Sequence, residues 1–152
     1  MEISATVRND ADGHAVTVQT GAARQSLPIA ARPAGRGSAV NGGEFLMLAL
    51  ATCYCNDLYR EAERLGVPID RVEVEASADF DGVGLAATRI RYRAKVESSA
   101  PDAAIADLLR RTDAVAEVHN TLRSGVAVTR VDWPIDDPSL RVFPQPLTRS
   151  SP

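Results

Sequence analysis

The feature that most constrains this chain is a run without a charged side chain, residues 45–55. Just before it, Asn41 can cap the first turn of a helix with its side-chain oxygen, and Glu44 can reach back to the Asn41 amide. Gly66 supplies a stop signal further on. We therefore predict one long helix between this cap and Gly66. Because its first half offers almost no polar side, that half should be covered on all faces, inside the fold or inside a dimer.

After residue 55 the same helix becomes amphipathic. Apolar residues recur at helical spacing, and charged residues fill the positions between them. The apolar set is Leu58, Ala62 and Leu65, and the charged set is Asp57, Arg60, Glu61, Glu63 and Arg64. We expect the charged set to lie on the face of the helix that reaches solvent.

The rest of the chain is predicted to form strands and a second helix. Alternating polar and apolar residues predict strands over 3–7, 15–19, 25–30, 71–80, 87–96 and 126–131. Pro101 and Gly125 mark the start and the end of the second helix. Strands 71–80 and 87–96 present an acidic row and a basic row, which predicts charge pairs across a hairpin. Two helices packed on antiparallel strands make an α+β fold.

Length and proline content define the predicted domain organisation. A chain of 152 residues has the common size of one domain. We assign residues 1–133 to this single domain. Five of the nine prolines fall in residues 134–152, so we interpret that stretch as an extended or disordered C-terminal tail.

Charge and hydropathy limit the partners of the chain. A formal net charge of −3 gives no electrostatic reason to bind nucleic acid or anionic lipid. The apolar run is far shorter than the roughly 20 residues of a membrane-spanning helix, and the N-terminus lacks the pattern of a signal peptide. We expect a cytoplasmic protein with no nucleic-acid or membrane partner, which binds a small molecule or another copy of itself.

The two cysteines, Cys53 and Cys55, lie inside the predicted central helix. Residues two apart on a helix point about 200° away from each other, so this pair cannot form a disulfide without breaking the helix. One interpretation is that both cysteines are small, buried apolar residues of the core. The other is that this pair provides a reactive thiol. A thiolate in the middle of a helix needs a nearby cation, and the preceding loop offers Arg32 and Arg36.

Other candidate residues give weaker signals. Glu44 is most simply a helix cap, and a lone histidine such as His119 is more often structural than catalytic. The cysteines and histidines do not have the spacing of metal ligands. No glycine-rich phosphate loop or Ser-His-Asp pattern is visible in the sequence. We therefore expect neither a metal nor a cofactor.

Two stretches resemble the OsmC-like family, which includes osmotically inducible and organic hydroperoxide resistance proteins. The first stretch, similar to the family's central helix, is Asn41-Gly42-Gly43-Glu44-Phe45-Leu46 running to Leu50-Ala51-Thr52-Cys53-Tyr54. The second stretch, similar to the family's second half, is Val118-His119-Asn120-Thr121-Leu122 running into Gly125-Val126. The resemblance implies an intertwined homodimer with its sites at the interface. Antiparallel sheets would pack on a long buried central helix and a second helix.

The resemblance also implies roles for particular residues. In the peroxidase members, a nucleophilic cysteine on the central helix attacks an organic hydroperoxide, and an arginine with a glutamate lowers the pKa of its thiol. Cys53 falls at that cysteine position, Arg32 or Arg36 would supply the arginine, and Glu44 lies one residue after the glutamate position. The family's second, resolving cysteine would lie near residues 116–117, where this chain has none.

These features leave alternative functions open. The first is thiol-dependent reduction of organic hydroperoxides through Cys53, with an external thiol as the reductant. In this reading Cys55 can resolve the oxidised Cys53 only across a dimer or after local unwinding of the helix. The second is a non-enzymatic OsmC-like dimer that binds a small apolar or thiol-reactive ligand, with Cys55 and His119 as binding residues. A purely structural interaction domain is the third alternative.

Overall fold

The computed structural model describes residues 1–11 and 13–132. In chain order its elements are β1 (Ile3–Asn9), β2 (His14–Thr20), β3 (Ala23–Leu27), α1 (Gly42–Leu65), β4 (Arg71–Phe80), β5 (Ala87–Glu97), α2 (Asp102–Val115) and α3 (Glu117–Ser124). The predicted α+β class is confirmed. The predicted tail, 134–152, lies outside the described residues, so the domain boundary at residue 133 stays a prediction. Within the described ranges, no helix has the length and apolar character needed to cross a membrane.

The helix α1 begins and ends where the sequence predicts. The Asn41 side chain accepts a hydrogen bond from the Glu44 backbone N–H (3.0 Å), and the Glu44 carboxylate accepts one from the Asn41 backbone N–H (2.7 Å). At the other end, Gly66 has φ 67°, in the left-handed region that favours glycine, and its N–H points to the carbonyls of Ala62 and Glu63. The capping box and the glycine stop therefore set the length of α1.

The strands form two separate antiparallel sheets. β1, β2 and β3 make a meander, and β4 pairs with β5 in a hairpin. The hairpin register places Glu75 opposite Arg93, and their side chains pair at 2.5 Å. The predicted charge pairing across the hairpin is thus confirmed. Both side chains are exposed, so the pair contributes little to stability.

The core lies where the middle and second half of α1 meet α2, α3 and the hairpin. Its buried cluster consists of Tyr54, Leu58, Ala62, Leu108 and Ala116. The Tyr54 hydroxyl donates a hydrogen bond to the Leu109 carbonyl at 2.9 Å, which satisfies the one polar side-chain group of this cluster. α1 is therefore the element that joins the hairpin to the C-terminal helices.

The burial of α1 differs from the prediction. The charged set was expected to reach solvent, but Asp57 is only 3% exposed and Glu61 only 6%. The first half of α1 was expected to be covered on all faces, but Leu48 is 56% exposed within this chain. The reason is that α2 and α3 pack against the second half of α1. In the described part of the chain, nothing covers the outer face of its first half.

Two predicted elements near the C-terminus also differ. Ala116 has an extended conformation (φ −70°, ψ 99°), which divides the predicted second helix into α2 and α3. The predicted strand over 126–131 is wrong, because residues 126–132 have no regular structure and Val128 is fully exposed. A strand needs a neighbour for its backbone hydrogen bonds, and the described chain places none beside this segment.

Replacing Leu58 with alanine tests the position of the core. Leu58→Ala should lower the free energy of unfolding by about 2–5 kcal/mol, because it leaves a cavity where no solvent reaches. The measurement is urea unfolding at a fixed protein concentration. The matched control is Leu85→Ala in the exposed β4–β5 turn, which should change stability by less than about 0.5 kcal/mol. Equal losses in both variants would contradict this core.

A candidate thiol–carboxylate site

Cys53 lies where α1 meets the start of α3. One turn further along α1, Asp57 places its Oδ2 3.4 Å from the Cys53 sulfur, because residues four apart share a helix face. From α3, Glu117 brings its Oε2 to 3.9 Å from the same sulfur. The break at Ala116 makes this possible, because it starts α3 beside the middle of α1. A thiol and two carboxylates, from separate helices, therefore form one cluster.

Arg60 supplies the positive charge of this cluster. Its Nη1 lies 2.9 Å from Asp57 Oδ1 and 3.5 Å from Glu117 Oε1. The Asp57 carboxylate thus has one oxygen facing a guanidinium and the other facing the Cys53 thiol. We call Cys53, Asp57, Arg60 and Glu117 the thiol–carboxylate cluster.

The surroundings of Cys53 favour its protonated form. Partial burial raises the pKa of the thiol, and the hydrogen bond to Asp57 together with the charges of Asp57 and Glu117 raises it further. The backbone N–H of Val118, at the start of α3, acts in the opposite direction. The pKa of Cys53 nevertheless stays above its ordinary value, so Cys53 is a thiol rather than a thiolate at neutral pH.

The pKa of the Asp57 carboxyl is also raised. Burial is the largest cause, since the ionised form loses water, and the adjacent Glu117 carboxylate adds to the effect. The hydrogen bond from Cys53 and the charge of Arg60 oppose this rise. Two hydrogen-bonded groups with pKa values shifted by burial and by each other are typical of functional sites.

The arginines predicted to activate Cys53 do not join this cluster within the chain. Arg32 and Arg36 lie in an exposed loop that a β-bridge between Ala31 and Ser38 closes. In the described chain, the groups that shift the pKa of Cys53 are Asp57, Glu117 and the Val118 backbone, without either arginine. Their predicted role therefore stays a prediction.

Glu44 and Cys55 also lie apart from the cluster. The Glu44 carboxylate holds the capping box, and its position nine residues before Cys53 corresponds to about 13 Å along the helix axis. Cys55 is a free, half-buried cysteine whose side chain points about 200° away from that of Cys53 around the helix. Cys53 is thus the one member of the cluster that the sequence pattern indicates.

His119 lies further along α3, between two tyrosines. Its ring centroid is 4.4 Å from that of Tyr92 and 5.5 Å from that of Tyr54, and the residue is only 3% exposed. Among the described residues, neither ring nitrogen has a hydrogen-bond partner. Burial lowers the pKa of the imidazole, and the charge of Arg123 lowers it further. His119 is therefore a neutral, buried ring at neutral pH.

A cavity of about 250 Å³ adjoins this histidine. It is lined by Leu50, Ile90, Tyr92, His119, Leu122 and Arg123. Asp113 orients two of these lining side chains, because its carboxylate accepts hydrogen bonds from the Tyr92 hydroxyl and from Arg123 Nη2, the latter at 2.7 Å. The cavity thus combines apolar walls with a buried imidazole.

The donor atoms of Cys53, Asp57 and Glu117 lie within 4.8 Å of one another, a spacing that a metal ion could bridge. The spacing of cysteines and histidines in the sequence does not indicate this set, because two of its three members are carboxylates. Arg60 already pairs with both carboxylates, so a cation would have to displace a guanidinium. We therefore assign no metal to this cluster.

Comparison with known proteins identifies the family. The sequence model of the family described as OsmC-like protein matches residues 35–130. This match covers more than half of the chain, which therefore belongs to the OsmC-like protein family. No curated protein sequence matches the chain.

Solved structures share the fold at low sequence identity. An OsmC-like protein from Mycoplasma pneumoniae is 18% identical, with 82% of this chain and 87% of that chain aligned and a TM-score of 0.56. The organic hydroperoxide resistance protein OsmC from Legionella pneumophila is 14% identical, with 81% and 90% aligned and a TM-score of 0.55. An OsmC-like hydroperoxide resistance protein from Jannaschia sp. CCS1 is 15% identical, with 88% and 93% aligned and a TM-score of 0.54. These likenesses confirm the predicted OsmC-like α+β fold of the single chain.

Three members of the cluster are not recognisable as site residues in the sequence: Asp57, Arg60 and Glu117. A charged residue in an amphipathic helix normally marks the solvated face, which is why Asp57 and Glu61 were placed there. One signal was available, since Cys53, Asp57 and Glu61 recur every fourth residue and so share one helix face. Glu117 gives no such signal, because its approach depends on the break at Ala116.

The buried His119 predicts a dependence of stability on pH. Because the pKa of its imidazole is lowered in the folded state, the unfolded chain binds a proton more readily. Its contribution is complete above the ordinary pKa of 6.5 and is lost as the pH falls below that value. His119→Phe keeps an aromatic ring in the stack and should remove this part of the loss. The measurement is the urea midpoint on both sides of that pH.

The control for this prediction is the same substitution at the chain's other histidine. His14→Phe should leave the pH dependence that His119 causes in place. An unchanged loss of stability at acid pH in His119→Phe would show that the buried imidazole is not its source.

Proposed function

We propose that this OsmC-like protein reduces organic hydroperoxides through Cys53, with an external thiol as the reductant. The observation that carries the proposal is the position of the Cys53 sulfur. It is half-buried at the meeting of two helices, with a carboxylate within hydrogen-bonding distance and a helix N–H directed at it. Two solved structures of the same fold are named as hydroperoxide resistance proteins, which agrees with this chemistry.

The reaction needs one cysteine in its first step. The sulfur attacks the distal oxygen of the hydroperoxide, the O–O bond breaks, and the products are an alcohol and a sulfenic acid on Cys53. One external thiol then condenses with the sulfenic acid, releasing water and leaving a mixed disulfide. A second external thiol breaks that disulfide and restores Cys53.

The external thiol is required because the chain lacks a second cysteine in position. Ala116 occupies the region where the family's resolving cysteine would lie, and it is fully buried. The Cys55 of the same chain points away from Cys53, so it cannot reach that Cys53 while α1 is intact. A small thiol that diffuses to the half-buried sulfur supplies the electrons instead.

Trapping of the oxidised cysteine tests this proposal. In Cys55→Ser, an organic hydroperoxide should convert Cys53 to a trappable sulfenic acid in stoichiometric amount. The rate should exceed that of the urea-unfolded protein at the same pH by about tenfold or more, which corresponds to about 1.4 kcal/mol of barrier. The measurement is mass spectrometry with a sulfenic-acid trap, and Cys53→Ser is the control. A folded protein no faster than the unfolded one would refute the activity.

We infer that a second copy of the chain covers the exposed half of α1. An open groove of about 780 Å³ separates this half from the hairpin. Its walls include the apolar Met47, Leu48 and Ala51 as well as charged residues of β4 and β5. The N-terminal sheet also exposes apolar side chains, with Ile3 and Val7 more than half exposed. Apolar surface of this kind is typical of an interface, which supports a homodimer.

Leu48→Arg tests the proposed homodimer. A charge at the centre of the exposed face of α1 should weaken self-association by about tenfold or more, about 1.4 kcal/mol. Sedimentation velocity over a range of concentrations gives the measurement. Val83→Arg, at the exposed β4–β5 turn, is the matched control and should leave association unchanged. A wild-type protein that is monomeric at every concentration would contradict the homodimer.

The cavity beside His119 favours a second function, binding of a small ligand without catalysis. Both imidazole nitrogens lack a partner in the described chain, and a buried polar group without a partner is costly. A small, mainly apolar ligand with one polar group fits apolar walls that include such a ring. This function requires no reactive thiol, so the sulfenic-acid experiment distinguishes it from the first.

A further inference from the structure

We propose that Asp57 is the catalytic acid–base of this site: it takes the proton from the Cys53 thiol and returns it to the leaving alkoxide. This inference rests on the proposed hydroperoxide reduction. It assigns to this chain's own carboxylate the task that would otherwise fall to an activating arginine.

One oxygen of the Asp57 carboxylate is positioned to accept a hydrogen bond from the Cys53 thiol. Asp57 Oδ1 pairs with Arg60 at 2.9 Å, which fixes the orientation of the group. Asp57 Oδ2 then faces the Cys53 sulfur at 3.4 Å, within the distance of a hydrogen bond from an S–H group. Because Asp57 is buried, water competes little for this oxygen. The thiol proton therefore has a fixed acceptor.

The ionisation of both groups fits this role. A thiolate held by an arginine needs no base, but a thiol that stays protonated at neutral pH must lose its proton during the attack. Burial raises the pKa of the Asp57 carboxyl toward the range useful for proton transfer. The same carboxyl can then act as a base when the sulfur attacks and as an acid when the alkoxide leaves.

The remaining groups that face Asp57 assist the transfer. Arg60 lies on the same helix, and Glu117 approaches from α3 and also acts on the Asp57 carboxyl. His119 lies on α3, and the charge of Asp57 acts to raise the pKa of its imidazole. Burial lowers that pKa by more, so the ring stays neutral. Glu117 is largely exposed, and its negative charge favours uptake of the thiol proton by Asp57.

Proton transfer to Asp57 accompanies the attack of the Cys53 sulfur on the hydroperoxide. The S–H bond of Cys53 breaks, and its proton passes to Asp57 Oδ2. The sulfur electron pair forms a bond to the distal oxygen of the hydroperoxide while the O–O bond breaks. The leaving alkoxide takes the proton from Asp57 and becomes the alcohol. Cys53 is oxidised to the sulfenic acid, the hydroperoxide is reduced, and the Val118 N–H stabilises negative charge that develops on the sulfur.

Asp57→Asn gives two readouts that should change in opposite directions. Loss of the negative charge beside Cys53 lowers the pKa of the thiol, so iodoacetamide, which reacts with the thiolate, should alkylate Cys53 faster at neutral pH. Oxidation of Cys53 by an organic hydroperoxide should become slower by about a hundredfold, because the acid–base group is gone. Both rates are measured in Cys55→Ser, so that Cys53 is the only thiol.

The matched control is Glu63→Gln, an exposed carboxylate on the same helix, which should leave both rates unchanged. If Asp57→Asn slowed both reactions equally, or accelerated both, Asp57 would have only a structural or electrostatic effect and the acid–base role would be overturned. The proposed function is tested separately by the rate of the parent protein. A parent no faster than its unfolded chain refutes hydroperoxide reduction itself.

A second measurement does not depend on the folding of Asp57→Asn. In Cys55→Ser with Asp57 intact, alkylation of Cys53 by iodoacetamide should fall steeply as the pH is lowered from about 8 to 6, because the thiolate disappears. Oxidation by the hydroperoxide should fall much less, since Asp57 accepts the proton during the attack. Identical pH profiles for the two reactions would mean that only the preformed thiolate reacts, and they would overturn the role of Asp57.

Discussion

The packing of α1 around Leu58 is the interaction on which the rest of the structure depends. Leu58 and Leu108 are completely excluded from solvent, and the buried cluster around them joins α1 to α2 and to the residue that separates α2 from α3. The hairpin packs on the same helix through its half-buried apolar row. Without this contact the C-terminal helices have no apolar surface to cover, and the start of α3 has no reason to lie beside Cys53.

This packing also explains why the cluster has unusual electrostatics. The face of α1 that enters the core carries Cys53, Asp57 and Glu61 in addition to apolar residues, so two carboxylates are taken out of water. Arginines at the surface pair with them: Arg60 with Asp57, and Arg64 with Glu61 at 2.7 Å. Buried ion pairs of this kind recover the cost of desolvation only in part. A carboxyl that remains poorly solvated, next to a thiol, is a group suited to proton transfer.

The first half of α1 shows the opposite burial: its side chains are mainly apolar, but its outer side is exposed. It carries the most apolar part of the chain, yet the described chain covers only its inner side, at Leu50 and Tyr54. The sequence indicates correctly that such a surface must be buried, but it does not say by what. The N-terminal meander makes its main contacts within itself and does not cover this face. In our proposal a second copy of the chain covers it.

The sequence by itself determined the local structure. The capping box at Asn41, the stop at Gly66 and the alternation in β4 and β5 depend on neighbouring residues, and each was predicted with nearly correct bounds. It also indicated Cys53, through the resemblance of the central helix. Only the tertiary structure decided which face of α1 is buried, that Ala116 breaks the second helix, and that Glu117 reaches Cys53. The physical reason is that these features follow from contacts between residues far apart in the chain, and a local pattern contains no information on such contacts.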